Sequence, residues 1–579
     1  MKFSELAKFL KCLEETPSRN QMISVLAQMF ELASPQEAQE IAYLSQGRIA
    51  PFFAPLEFGM ADKMVIKAIS HAFGKSEAEI TILFKSKGDL GVVAENLAQL
   101  VQGKEKGKTV HEVFEYLEKI TRNSGTGSVE QKTNLLAEIL KDLNPLSARY
   151  LVRIPLGRLR LGFSDMTVLD SLSWLLTGSK AARGEIEKAY NVRPDLGFIA
   201  KTLKDKGMKG LSGVEPAVGV PILMARAERL SSAAEIIKKI GRCAVEPKID
   251  GFRLAVHKNG REVQIFTRNM ENVTFMYPDL VRGVLKQVSG TKVILEGEAV
   301  AYNPQTGEYL PFQETVQRKR KYEIEKKAIE IPLRLFCFDI LYLNGKNFIP
   351  QTYAKRRQEL AKVVKEGNAL SLTDEKIVEK AEDLEAIFQD SISRGLEGVM
   401  AKRLDGVYQA GARGWNWIKY KRSYQGKLED MVDAVVMGYD YGQGKRTGFG
   451  IGAFLIGVYD TKTDTFKTIA KIGTGLTDEE WRILKKRSEE KKVEQKPARY
   501  EVNKLALCDV WVRPEMVVVI RADEISRSPV HTAGRTQTKP GFALRFPRLV
   551  DWRDDKSPED ATTVKEIEEM YKLQFRKKR

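Results

Sequence analysis

Cysteine and histidine are scarce in this chain, four of each among 579 residues, and neither is grouped. Cys12, Cys243, Cys337 and Cys508 form no CxxC pair, which excludes a zinc cluster of that kind and offers no disulfide framework. His71, His111, His257 and His531 lack the spacing of metal ligands, so each reads as an ordinary surface or core residue. Apolar runs are short: none approaches the ~18–20 residues that a membrane span needs. The opening segment MKFSELAKFLKCLEET is interrupted by Lys8, Lys11 and acids, which excludes a signal peptide of the usual form. The expectation is a soluble protein of the cytoplasm.

Positive charge is what the chain has in excess. Lys and Arg number 94 against 77 Asp and Glu, a net charge of +17, and such an excess attracts phosphate backbones by releasing their counterions. It is also grouped, in Arg149, Arg153, Arg158 and Arg160, in residues 318–321, and in residues 576–579. Nucleic acid is the expected partner.

The chain is too long for one core, since domains usually run to ~100–200 residues, and its texture divides it in three. Residues 1–213 read as an all-α domain: Leu6, Phe9, Leu10 and Leu13, then Met22, Val25, Leu26 and Met29, follow the i, i+3, i+4, i+7 pattern. Gly178 ends another such segment, DMTVLDSLSWLLTG. After the linker-like GLSGVEPAVGVP, residues 214–424 read as a mixed α/β domain with largely antiparallel sheets. FRLAVHK and REVQIFTR are predicted strands joined at Asn259-Gly260, the pair that a two-residue type I′ turn prefers. KVILEGEAV, RLFCFDILYL and WNWIKYK are further predicted strands, with AKRRQELAKVVKE as a helix between them. Residues 425–579 carry brief strands, DAVVMGYD, GAFLIGVYD, FKTIAKIG and EMVVVIRADEI, whose spacing suits a small closed all-β barrel. The glycines there are read as bends, because GQGKRTG lacks the GxxxxGK form of a phosphate loop.

Several segments carry chemistry. In EPKIDG, residues 246–251, Lys248 is a nucleophile only if its pKa falls well below the usual ~10.4, which burial, neighbouring arginines or a metal would bring about. Taken alone, the segment equally fits a surface pair flanking a turn. KVILEGEAV sets Glu296 and Glu298 two residues apart, so a strand aims both carboxylates to one face. If buried, they need cations or polar ligand groups; otherwise they form a solvated strand face. LEGVMAKR adds Glu397 beside Lys402 and Arg403. WNWIKYKR puts Trp415, Trp417, Lys419 and Lys421 on one strand face, where two cations suit a phosphate chain or plain solvent.

The ordered series KIDG, TRN, LEGEAV, FCFDILYL, EGVMAKR, WNWIKYKR and LRFPR resembles the motif set of the covalent nucleotidyltransferases. Within them it is most similar to ATP-dependent DNA ligases of the archaeal and eukaryotic replicative type. GRLRLGFSD and SGTGSVEQK resemble that family's DNA-binding domain, so the resemblance covers nearly the whole chain. It implies an OB-fold for the barrel, ATP as substrate, Mg²⁺ as cofactor and nicked double-stranded DNA as partner. It also implies a monomer acting in replication, recombination and repair, at the nucleoid if the source is prokaryotic. Lys248 would be the adenylylated nucleophile and Glu246 would contact the adenine side. Arg253 and Arg268 would bind the ribose and phosphate region or the nick phosphate, and Phe338 would stack on adenine. Glu298 would hold the ribose and, with Glu397, the metal. Arg413, Lys419 and Lys421 would take phosphates, while Arg545 and Arg548 would reach from the barrel to orient pyrophosphate. Pro247 departs from what the family more often carries at that position.

Other readings make distinct demands. An RNA ligase or capping guanylyltransferase shares the KxDG chemistry but has no need of a 213-residue helical front. An NAD-dependent ligase would bring a zinc-binding cysteine quartet, and a non-catalytic DNA binder would have no need of Lys248, Glu298 and Lys419. QGRIAPFF, residues 46–53, matches the Q-x-x-I-x-x-F-F pattern of sliding-clamp-binding peptides, and it also reads as core of the helical domain.

Overall fold

The structure, a computed structural model, describes residues 1–16, 18–101, 107–159, 161–305, 308–310, 312–320, 322–394, 396–421, 431–442 and 449–574. Arg160, Lys321, residues 443–448 of the glycine-rich segment and residues 576–579, all named above, lie outside them. The chain packs as two compact units. Residues 1–228, 240–378 and 401–418 form the first; residues 229–239, 379–400 and 419–579 form the second.

The first unit opens with helices from Phe3–Glu15 to Leu196–Ser212. Their apolar stripes meet in one core, where Leu6, Leu10 and Leu13 join Met22, Leu26 and Met29, because positions three and four apart share a helix face. Helix Asp165–Thr177 ends at Gly178, whose φ of 63° is the left-handed residue that closes a helix without a Cβ clash. Ser34, Ser76 and Thr109 cap their helices in reciprocal boxes with glutamates three residues on.

The same packing turns some of the grouped cations inward. Arg153 is 3% exposed and is held by Asp89 at 2.8 Å and Glu14 at 2.7 Å. Burial opposes its charge, but hydrogen bonds to those two carboxylates outweigh it and hold its pKa above the ordinary value. Arg149 pairs with Glu95 and Arg158 with Asp62. Arg318 is buried against Asp279, and Lys319 is engaged by Glu271 at 2.7 Å. A cation on an inward face has to find a carboxylate, so Arg153 and Arg318 serve the interior, whereas Arg158 and Lys319 form ion pairs at the surface.

Beyond the helices, β1 (Arg226–Arg229) and β2 (Cys243–Lys248) are followed by β3 (Phe252–Asn259), β4 (Glu262–Thr267) and β5 (Lys292–Ala301). Next come β6 (Leu333–Leu343), β7 (Lys346–Asn347), β8 (Leu370–Leu372) and β9 (Lys376–Val378). One sheet runs β4-β3-β5-β6-β7, with β8 parallel on β6, so it is mixed and largely antiparallel. Leu254, Val256, Ile265, Leu295 and Ile340 line its core beneath Leu280 and Leu360 of the helices Pro278–Gln287 and Tyr353–Val363. β2 pairs with β9 in a second sheet that also takes β10 (Gly398–Arg403) and β11 (Arg413–Lys421).

The hairpin differs from expectation in register. Asn259 pairs with Glu262, so the two-residue turn is Gly260-Arg261. Asn259 stays in the ladder because it also faces Lys292 of β5. Gly260 alone takes the positive φ, 60°, as a type II′ turn requires.

Residues 213–225 lie along this sheet without helix or strand. The Gly219 N–H donates to His257 Nδ1 at 3.1 Å, and the Leu223 N–H donates to the Asn191 carbonyl at 2.9 Å. Met224 packs with Ala255 and Phe266, and Phe53 joins them. Phe53 of QGRIAPFF thus packs on the sheet, while Phe52 is half-exposed under the Arg48 guanidinium, 4.4 Å from its ring.

The second unit is built on an eight-stranded sheet. β12 (Val432–Asp440) lies between β13 (Ala453–Asp460) on one side and β17 (Val510–Val512) and β18 (Val517–Arg521) on the other. β14 (Thr465–Ile472) continues the meander beside β13, and β21 (Arg548–Trp552) pairs with β18. β15 (Lys492–Val493) and β16 (Tyr500–Glu501) complete it. The expected strand EMVVVIRADEI is two strands: β18, and then β19 (Glu524–Ser528), which pairs with β20 (Gly541–Arg545) in a separate ribbon. Val436, Phe454, Ile456, Trp481, Val518 and Ile520 form the core. Among the described residues no helix is long and apolar enough to cross a membrane.

Candidate active site

Lys248 is the last residue of β2, a strand anchored by the buried Cys243, Ala244 and Val245. The chain then turns at Asp250-Gly251 into β3. A Cβ on Gly251 would stand 2.4 Å from the Ala299 carbonyl oxygen and 2.9 Å from Val300 Cγ2, so glycine is what lets the turn close against β5. That strand carries both expected glutamates, with Glu298 opposite Arg253 and Glu296 opposite Ala255.

The two carboxylates part company in environment. Glu296 is fully buried and accepts hydrogen bonds from Arg253 Nη2 at 2.8 Å and Tyr408 Oη at 2.9 Å. Glu298 lies within electrostatic reach of both Arg253 and Arg268. Burial lowers the Arg268 pKa, and Arg253, Arg226 and Arg413 lower it further, with Glu298 acting the other way. Arg268 thus has three guanidiniums and the Glu298 carboxylate within electrostatic reach, and with Glu296 engaged by Arg253 cations still outnumber carboxylates there, a setting suited to phosphate oxygens. Arg253 uses Nη1 on the Ala225 carbonyl at 2.7 Å, while its Nε is buried with no hydrogen-bond partner among the described residues. A buried donor left unbonded is costly, and a ligand oxygen is one group that would satisfy it.

Phe338 is buried, with the Trp417 ring edge-on at 5.9 Å and Lys402 Nζ 4.8 Å from its centroid. Lys402 sits among three rings, at 4.9 Å from Tyr353 and 4.8 Å from Trp417 as well, and its Nζ lies 2.6 Å from Glu246 Oε2. The Tyr353 hydroxyl lies 2.7 Å from Glu246 Oε1 and is also within hydrogen-bond reach of Glu375. Burial and then those two carboxylates push the Tyr353 pKa well up. Glu246, Phe338 and Lys402 thus set a carboxylate and an ammonium beside an aromatic ring, the equipment for a flat heterocycle with polar edges.

The first unit therefore brings Glu246, Arg253, Arg268, Glu298, Phe338 and Arg413 around the turn that follows Lys248. The second unit holds the others. Glu397 pairs with Lys421 at 2.7 Å, and Lys419 lies two residues before it on β11. Gly398 has a φ of 145°, and a Cβ there would meet the Tyr420 carbonyl oxygen at 2.1 Å, so the glycine after Glu397 is a backbone requirement. Arg545 ends β20, and Arg548 opens β21 in an ion pair with Asp523. Tyr353, Lys402, Tyr408 and Arg226 had drawn no role from the sequence. Lys402 left one signal, a lysine directly after the buried Ala401 and three residues after the buried Val399 in an apolar strand, where a cation implies a buried carboxylate.

Family models match along the chain: "DNA ligase N terminus" over residues 2–173, "ATP dependent DNA ligase domain" over 224–421, and "ATP dependent DNA ligase C terminal region" over 447–556. A "Probable DNA ligase" of Dictyoglomus turgidum is 49% identical over 579 residues, covering 100% of this chain and 99% of its own. A "DNA ligase 2" of Thermofilum pendens is 43% identical, covering 99% and 97%. Among solved structures, one named "Pmar-Lig_PreS3" shares the fold with a TM-score of 0.54 at 16% identity, over 95% of this chain and 99% of that one. With three domain models in order and relatives alike from end to end, the chain belongs to the ATP-dependent DNA ligases.

Proposed function

We propose that this ligase carries AMP on Lys248. The observation that supports the reading most is that Arg226, Arg253, Arg413 and Glu298 all lie within electrostatic reach of Arg268, with Arg253 and Glu298 paired on the strands that flank the turn following Lys248. Such cations favour the neutral amine and stabilise charge on a transferring phosphoryl group.

Three steps follow. The Lys248 amine attacks the ATP α-phosphorus, forming a P–N bond and expelling pyrophosphate. The nick 5′-phosphate then attacks the same phosphorus, and the P–N bond breaks to return the lysine. The 3′-hydroxyl finally attacks the 5′-phosphorus and AMP leaves. Glu246 takes the adenine edge with Phe338 stacking on its face, and Arg253 and Arg268 hold the ribose and phosphate or the nick phosphate. Arg413, Lys419 and Lys421 bind phosphate oxygens, Lys421 exchanging Glu397 for them. Arg545 and Arg548 orient the pyrophosphate.

Glu298 and Glu397 are oxygen-only donors, which suit Mg²⁺, a hard ion that keeps water and phosphate oxygens as its other ligands. When bound there, the ion supplies positive charge beside the phosphates. The C-terminal sheet is read as the OB-fold, with domains at 1–213, 214–424 and 425–579. It engages the nucleotide domain only for the first step, because Arg545 and Arg548 serve pyrophosphate departure alone. The protein acts as a monomer on nicked duplex DNA; clamp docking through residues 46–53 is a weaker reading, since Phe53 is spent on the sheet.

The test uses ATP labelled at the α-phosphate, with GTP and NAD in parallel. Covalent label should form from ATP alone and vanish in Lys248→Ala. Label persisting in that variant would overturn the assignment.

A further inference from the structure

Four residues close a ring of hydrogen bonds behind the site. The Ala225 N–H donates to Tyr408 Oη at 2.9 Å, and Tyr408 Oη donates to Glu296 Oε1 at 2.9 Å. Glu296 Oε2 receives Arg253 Nη2 at 2.8 Å, and Arg253 Nη1 donates back to the Ala225 carbonyl at 2.7 Å. Ala225, Glu296 and Tyr408 are all buried. In a low-dielectric setting such a ring polarises each bond through the next, and no member turns without stranding its neighbours. Tyr408 is the neutral member, and its hydroxyl bridges the Ala225 N–H and Glu296. Its own ring is fixed edge-on to Trp417 at 5.7 Å, and its backbone N–H by the Ile349 carbonyl at 3.1 Å.

We propose that Tyr408 is a positioning residue that, through Glu296 and the Ala225 peptide, fixes the Arg253 guanidinium and leaves its Nε–H as the donor kept for a ligand oxygen. This rests on the reading of Arg253 as a nucleotide- or phosphate-binding residue. Burial and the neighbouring Glu296 keep the Tyr408 hydroxyl protonated far above its usual range, so it remains a donor throughout the working pH range. Ala225 also follows Leu223, which is bonded to Asn191 of the helical region. The guanidinium is thereby tied to the stretch of chain that joins the helices to the sheet.

The test is a double-mutant cycle on the full chain, reading self-adenylylation and sealing of a pre-adenylylated nick in Tyr408→Phe, Arg253→Ala and the double variant. Tyr408→Phe should cost about tenfold in at least one step, the scale of a hydrogen bond to a charged group. In the Arg253→Ala background the same change should cost less than about twofold, because a residue acting through another loses its effect when that other is gone. A structural role alone would give equal losses in both backgrounds, and that result, or no loss at all, overturns the proposal. If Arg253→Ala alone leaves both steps intact, the site reading fails instead. Should Tyr408→Phe not fold, Glu296→Gln takes its place in the cycle and has to show the same non-additivity.

Discussion

Lys402 Nζ and Glu246 Oε2 lie 2.6 Å apart, and neither side chain is more than 3% exposed. Removing one partner of such a pair strands the other charge, which costs about 3–5 kcal/mol. Lys402→Met should lower the unfolding free energy by that amount in urea titration, and adding Glu246→Leu should restore most of it. A loss below about 1 kcal/mol in the single variant would show that Tyr353 alone satisfies Glu246.

Gly251→Ala should damage chemistry more than folding. The new Cβ meets the Ala299 carbonyl oxygen at 2.4 Å, and backbone has to give, at about 1–3 kcal/mol. The turn behind Lys248 then moves off β5, so ATP labelling should fall at least about tenfold, an amount worth only ~1.4 kcal/mol of barrier. Full labelling in a folded variant would show that the turn tolerates the shift.

Arg153→Met separates structure from DNA contact. Asp89 and Glu14 would lose the cation that pairs them, and unfolding should become easier by about 3–5 kcal/mol. The dependence of DNA affinity on salt should not change, because a buried guanidinium releases no counterion. A shallower salt slope would return Arg153 to the DNA-binding surface.

Acid should destabilise the fold partly through His257. Burial pushes its pKa down to about 3, below the ~6.5 of an unfolded histidine. Its neutral ring therefore contributes fully above about pH 6.5, and that contribution is lost as pH falls from there toward 3, at about 1.4 kcal/mol per pH unit. His257→Gln keeps an acceptor for the Gly219 N–H and removes the titration. Between pH 7 and pH 5 the variant should lose about 2 kcal/mol less than the parent in urea unfolding; parallel losses would locate the acid sensitivity elsewhere.

Arg548 is half-exposed and paired with Asp523. Arg548→Ala should slow self-adenylylation roughly a hundredfold, the scale of losing one charge-stabilising donor. Sealing of a pre-adenylylated nick should change less than about threefold, because no pyrophosphate leaves in that step. Equal losses in both assays would refute its assignment to pyrophosphate.

Much of this protein was written locally. The helical stripe of Leu6, Leu10 and Leu13, the stop at Gly178 and the alternation of KVILEGEAV depend on neighbours within a turn or a pleat, and each element formed where its period placed it. The same short range carried the motif series and the family. Tertiary structure alone decided which charges face inward: Arg153 and Arg318 look like surface cations until opposing elements bring Asp89, Glu14 and Asp279 to them. It also moved the hairpin turn from Asn259-Gly260 to Gly260-Arg261, since Lys292 on the neighbouring strand holds Asn259 in the ladder. The partners of Glu246 and Arg253, namely Lys402, Tyr353, Tyr408 and the Ala225 peptide, come from remote segments. A buried charge is stable only beside its complement, and where that complement lies is set by how sheets and helices pack, which no local pattern encodes.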